Sequence, residues 1–131
     1  MAAAVVSVTA RRHGSIRIAV IDWVSSDTGT ATATVNLDGQ LLKFVTNPGA
    51  VAPTDSYDIT LVDEDGLDVA NGLLADRDTA NSEVVYPFAE VTLGGTGTDA
   101  AALPLYHGGP VTFTLASAGD TKAGQLKVYM R

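Results

Sequence analysis

Three carboxylates, Asp63, Asp65 and Asp68, crowd around Gly66 in the stretch YDITLVDEDGLDV (residues 57–69), and clustered carboxylate oxygens are what a hard cation such as calcium needs. The spacing does not serve that chemistry. Counted from Asp63, the glycine comes fourth and Leu74 stands at the twelfth place, whereas an EF-hand calcium loop puts glycine sixth and a bidentate glutamate twelfth. Aspartate and glycine are also the ordinary material of a hairpin tip, and a solvated tip is the reading that the spacing favours.

Asp76, Asp78 and Glu83 would share acid and base work if a nucleophile or a second acid stood beside them. The sequence places none there, and isolated loop carboxylates are usually solvated. His13 and His107 are the only histidines, each next to a glycine in an expected turn. Two imidazoles cannot complete a zinc site without carboxylate help, and no i, i+4 pair exists. No Gly-x-Ser-x-Gly elbow occurs. The run GGTGT (residues 94–98) has the composition of a phosphate loop without its lysine and without a helix to open, so it reads as a hinge. Trp23, Tyr57, Tyr86, Tyr106 and Tyr129 could form a sugar-stacking platform, yet aromatics are only 6% of the chain and Trp23 lies among isoleucine and valine, which assigns it to the core. Tyr129 is the best exposed candidate. The sequence thus assigns no catalytic, cofactor-binding or metal-ligating residue and predicts a protein that is not an enzyme.

The elements that must hold these residues read as strands. Residues 5–9 form a first strand and 11–14 (RRHG) a turn. In residues 15–24, Ile16, Ile18 and Val20 face one way and Arg17, Ala19, Ile21 and Trp23 the other; both faces are largely apolar, so this strand is expected at the centre of a sheet. Residues 30–37 and 40–46 flank Asp38-Gly39 and are expected to pair as a hairpin. Residues 50–56, with Pro53, read as a crossover between two sheets. In the hairpin over 57–69, Gly66 suits the positive-φ site of a short loop, and Asp65 is placed to tie its carboxylate to the local backbone. Residues 73–82 (LLADRDTANS) fit a single helical turn, a bulged strand or an ordered loop, with no local signal to separate them. Residues 83–93 regain strand character around Pro87, which belongs at an edge or a bend. A break at 107–110 precedes 111–115 and 125–130, expected to close the chain as an antiparallel pair. Short strands punctuated by Gly, Asp and Pro predict an all-β domain over 1–131, an antiparallel β-sandwich or jelly-roll of about eight strands with little helix, residues 1–6 serving as a flexible N-terminal arm.

The totals bound the partners. A chain of 131 residues can bury roughly two-thirds of the surface that its unfolded form exposes, so its core needs no staple; with no cysteine, none is present. A net charge of -7 opposes binding to nucleic acid or to an anionic membrane surface and keeps the protein soluble at high copy number. No apolar run is long enough to cross a bilayer. The start MAAAVVSVTARRHG fails as an export signal because Arg11 and Arg12 follow the apolar stretch, so the protein is expected to be made in the cytoplasm.

Three segments in order, SIRIAVIDWVSSDTGTATATV, then YDITLVDEDGLDVANGLLADRDTANSEVV, then a strand-loop-strand ending GQLKVYMR, cover most of the chain. Together they resemble small tailed-bacteriophage virion proteins, a loosely defined group of β-rich structural components. The resemblance implies a place in the virion, on the capsid exterior as a decoration or cement protein, often a homotrimer, with the major capsid protein or other virion proteins as partners. It carries no catalytic signature. A tail or head-to-tail connector component is the alternative within that class, and a carbohydrate-binding or host-adhesion module the alternative outside it. The arm at residues 1–6 would add a strand to a neighbouring subunit.

Overall fold

The strand expected at the centre of a sheet is an interior strand, second from one end. In the computed structural model, which describes residues 3–93 and 99–131, β2 (Ile16–Val24) is paired on one side with β1 (Val5–His13) and on the other with β9 (Ala123–Met130). The remaining strands are β3 (Ala31–Pro48), β4 (Asp58–Val62), β5 (Glu83–Val85), β6 (Ala89–Leu93), β7 (Asp99–Leu103) and β8 (Leu105–Ala116). The fold is all-β, with no helix among the described residues. Seven strands form one antiparallel sheet in the order β1-β2-β9-β3-β8-β4, with β5 added to β3, while β6 and β7 pair as a separate two-stranded sheet.

The core follows from the ladder register. Ala19, Ile21 and Trp23 of β2 stand opposite Val128, Leu126 and Gly124 of β9, and Phe44 and Thr46 of β3 meet Val128 and Leu126 from the other side. In the second half of the sheet, Ala33 and Val35 stand opposite Phe113 and Val111, and Ile59 and Leu61 of β4 opposite Leu115 and Phe113. Directly opposed residues share a face, so these rows form one continuous apolar surface. The inward rows of both halves merge into a single buried cluster, which makes the arrangement sandwich-like. Each large side chain buried there contributes about 1.5–3 kcal/mol through removal of apolar area from water.

One strand serves both halves. Residues 31–41 of β3 pair with β8, and Leu41–Pro48 pair with β9, with a register shift between Leu41 and Lys43. Asp38-Gly39 is therefore not a hairpin turn, and residues 30–37 and 40–46 are not partners. Gly39 does take positive φ, +89°, but Asp38 and Gly39 stay paired with Gly108 and His107, so the positive φ goes into an irregularity within the strand. A Cβ at Gly39 would collide with the carbonyl of Arg131, whose backbone bonds Gln40 in both directions at 2.9 Å. The expected closing pair is also corrected: β8 and β9 do not pair with each other, because β3 lies between them. His107 and the glycines after it are strand residues of β8, not a turn.

At the N-terminus, Arg11, Arg12 and His13 extend β1, and the turn is Gly14-Ser15. Val5 and Val6 already pair with Val24 and Trp23, so this part of the expected arm belongs to the sheet; Met1 and Ala2, and the run at 94–98, lie outside the described residues. The crossover at residues 50–56 joins β3 to β4 and is pinned by Ala123 donating to Val51 and Thr54 donating to Ala118. Buried Ser25 locks the loop before β3 to the loop before β9: its Oγ donates to the Gly119 carbonyl at 2.6 Å and accepts from the Lys122 N–H at 2.8 Å.

Candidate functional site

The loop carboxylates are occupied by backbone. Asp63 Oδ1 accepts the N–H groups of Asp65 and Leu67, and the Asp68 carboxylate accepts those of Leu61, Ala70 and Gly72, all at 2.9–3.0 Å. The tie expected of Asp65 is thus made by Asp63, two residues earlier, while Gly66 takes the expected positive φ of +81°. Asp58 accepts from the Asp76 N–H, and Glu83 accepts from the Asp78 N–H while pairing with Arg77 at 3.5 Å. Asp78 in turn accepts from Ala80 and Asn81, and the Ala80 N–H above all, with the Asn81 amide, holds its carboxyl below the ordinary value of 3.8. Residues 73–82 are therefore an ordered loop, the third of the three readings, and over 63–82 as a whole acidic side chains satisfy backbone donors in place of regular structure.

A depression of about 200 Å³ brings Asp63, Glu64 and Asp65 beside His107, whose Nε2 is buried without a hydrogen-bond partner. Among the described residues no three side chains are grouped to hold a metal ion. His13 lies exposed at the end of β1. The aromatics are dispersed. Trp23 is 1% exposed and packs on Tyr57, with ring centroids 5.6 Å apart and planes tilted by 59°. Tyr129 is half-buried under Lys43, whose Nζ lies 4.5 Å from the ring centroid; Tyr106 and Tyr86, 68% and 63% exposed, are the outward tyrosines. Burial raises the pKa of Tyr57 above 10.0, and the neighbouring Thr46 opposes the shift without giving the hydroxyl a full hydrogen bond.

The two terminal strands of the main sheet differ. The outer edge of β4 is covered: the loop over 63–82 runs back along it, with Ile59 donating to Leu74, Val69 donating to Leu61 and Leu61 donating to Asp68. Tyr57 and Arg77 form a further antiparallel bridge. β1, by contrast, pairs with β2 alone among the described residues. Nine residues of strand edge, about 30 Å at 3.3 Å each, are left without a ladder partner. Val5 and Val8 on this strand are 62% and 43% exposed.

Beside that edge runs a groove of about 520 Å³ between β1 and the first half of β3. Ala10, Ala19, Val35 and Met130 supply apolar lining, and Thr34, Asn36 and Arg12 polar lining. Arg17 marks one end, donating through Nη1 to the Asp38 carboxylate and through Nη2 to the Asp38 carbonyl at 2.8 Å. Sequence reading missed this site because its walls lie more than 20 residues apart and Arg11-Arg12-His13 resemble turn residues. The alternation of residues 6–11 stops at Arg12, so no local signal carries the strand through to His13. No helix among the described residues is long and apolar enough to cross a membrane. Comparison with protein-family models, curated proteins and solved structures finds no match to this chain.

Proposed function

We propose that this chain is a structural component of a tailed-bacteriophage virion, a decoration or cement protein that adheres to the outer capsid shell through a sheet edge and apolar contacts and acts as a homotrimer. The observation that supports an assembly role is the contrast between the two sheet borders. Edge strands are normally blunted, and here the β4 edge is covered by an aspartate-tied loop while β1, among the described residues, keeps an unpaired row of backbone donors and acceptors. Asp63 and Asp68, weighed for a cation, and Asp78 and Glu83, weighed for acid and base work, each accept backbone N–H groups. The placement in a phage particle draws on the resemblance of the three segments named above.

Sedimentation of the purified protein, alone and with expanded phage shells, tests this. Trimers, or co-sedimentation with shells, are expected. A strictly monomeric protein that ignores shells would remove the proposal. Outward Tyr86 and Tyr106 favour one other reading, a carbohydrate-binding or adhesion module. A glycan array separates the two, since a cement protein binds no sugar.

A further inference from the structure

Resting on the assembly reading above, we infer that the partner element which β1 receives is an extended, acidic segment of another protein, laid along the groove between β1 and β3 as an added strand. Three independent features of the groove define this occupant. The first is the backbone. Gly14 has φ +62° and Ser15 has no positive φ, the pattern of a type II′ two-residue turn, so His13 and Ile16 close the hairpin as a hydrogen-bonded pair. Alternation from that pair turns the N–H and C=O groups of Arg11 and Thr9 toward β2 and those of Arg12, Ala10 and Val8 outward. A strand added to β1 finds those outward groups ready.

The second feature is charge. The chain is acidic overall, yet three of its eight lysines and arginines, Arg11, Arg12 and Arg17, fall within seven residues at this edge. Arg12 and Arg17 stand directly opposite each other in the β1–β2 ladder, an arrangement that is unfavourable unless an anion lies between them. Asp38 neutralises Arg17, whereas Arg12 has no acidic partner among the described residues. A carboxylate on the incoming strand completes the set.

The third feature is shape. Ala10 and Ala19, with Val35 and Met130, give the groove an apolar stretch lined by small residues, suited to small β-branched side chains that alternate with the acidic ones. A basic or polyanionic partner of other geometry would use only one of these features; an acidic strand uses all three.

The test uses the full chain and two synthetic peptides of about seven residues, one alternating glutamate with valine and the other alternating lysine with valine. Amide hydrogen exchange and calorimetric titration are the readouts. The acidic peptide is expected to slow exchange at Val8, Ala10 and Arg12, and to lose affinity as salt rises from about 0.05 to about 0.5 M. Arg12→Glu is expected to weaken it about tenfold or more. Ala10→Pro, which removes an outward N–H at a position where an edge strand tolerates proline, is expected to abolish the added protection. Equal binding of the lysine peptide, or unchanged exchange at the three amides, would overturn the inference. A protein that forms trimers or binds shells while ignoring the acidic peptide keeps the virion reading and loses this one; a protein that takes the peptide but neither self-associates nor binds shells does the reverse.

Discussion

Gly124 stands directly opposite Trp23 in the β2–β9 ladder, and the indole ring lies over it, occupying the space that a side chain at 124 would need. A Cβ there would meet Trp23 Cε2 and Cη2 at 2.8 Å, well inside van der Waals contact. The largest side chain of the core is thus accommodated by the smallest residue on the neighbouring strand. Gly124→Val should destabilise the fold by about 1–3 kcal/mol through overpacking, seen as a lower urea midpoint with an unchanged slope. An unaltered midpoint would mean that the indole can move aside.

Asp68 holds three backbone amides from two directions, Leu61 in β4 and Ala70 and Gly72 in the loop. Asp68→Ala should cost about 1–3 kcal/mol and speed hydrogen exchange at those three amides specifically. Asp68→Asn, which retains one acceptor oxygen, should fall between the two proteins.

Acid should weaken the same loop with a predictable sign. The Asp78 carboxyl is held below 3.8, mainly by the Ala80 N–H and then by the Asn81 amide. A depressed native pKa contributes stability that is fully present above the unfolded value and lost as pH falls through the native one. Urea midpoints measured downward from neutral pH should therefore drop below about pH 4, and Asp78→Asn should flatten that part of the profile. A parallel profile in the variant would place the acid sensitivity elsewhere.

Alkali acts close by, at Tyr57, which bridges Arg77 of the same loop. Burial raises the Tyr57 pKa above 10.0, so the phenol's neutral form is favoured in the native state and stability is lost as pH rises past 10.0 toward the native value. Tyr57→Phe should remove that alkaline loss. Because the hydroxyl is buried without a full hydrogen bond, the variant should also be no less stable than the parent at pH 7, within about 0.5 kcal/mol.

These particulars show why part of the fold was readable from residues alone. The interior position of β2 is legible because two apolar faces on one strand leave it no place but between two others. Gly66 was placed correctly because its environment is local. Asp38-Gly39 carries the same local signal but is answered by Gly108 and His107, some 70 residues later, and that distant pairing turns a would-be turn into a continuous strand. β8 and β9 alternate like partners, and only the intervening β3 shows that they are not. The candidate site was the least legible feature. Its arginines are visible in the sequence, but the groove exists only because topology sets β1 beside a part of β3 that β9 does not reach.

Among the described residues, the sheet is shielded along β4 and bare along β1. A molecule of that kind can accept a neighbour along β1 without offering β4 as the template for a second one, which gives end-to-end contacts through these two strands a built-in polarity.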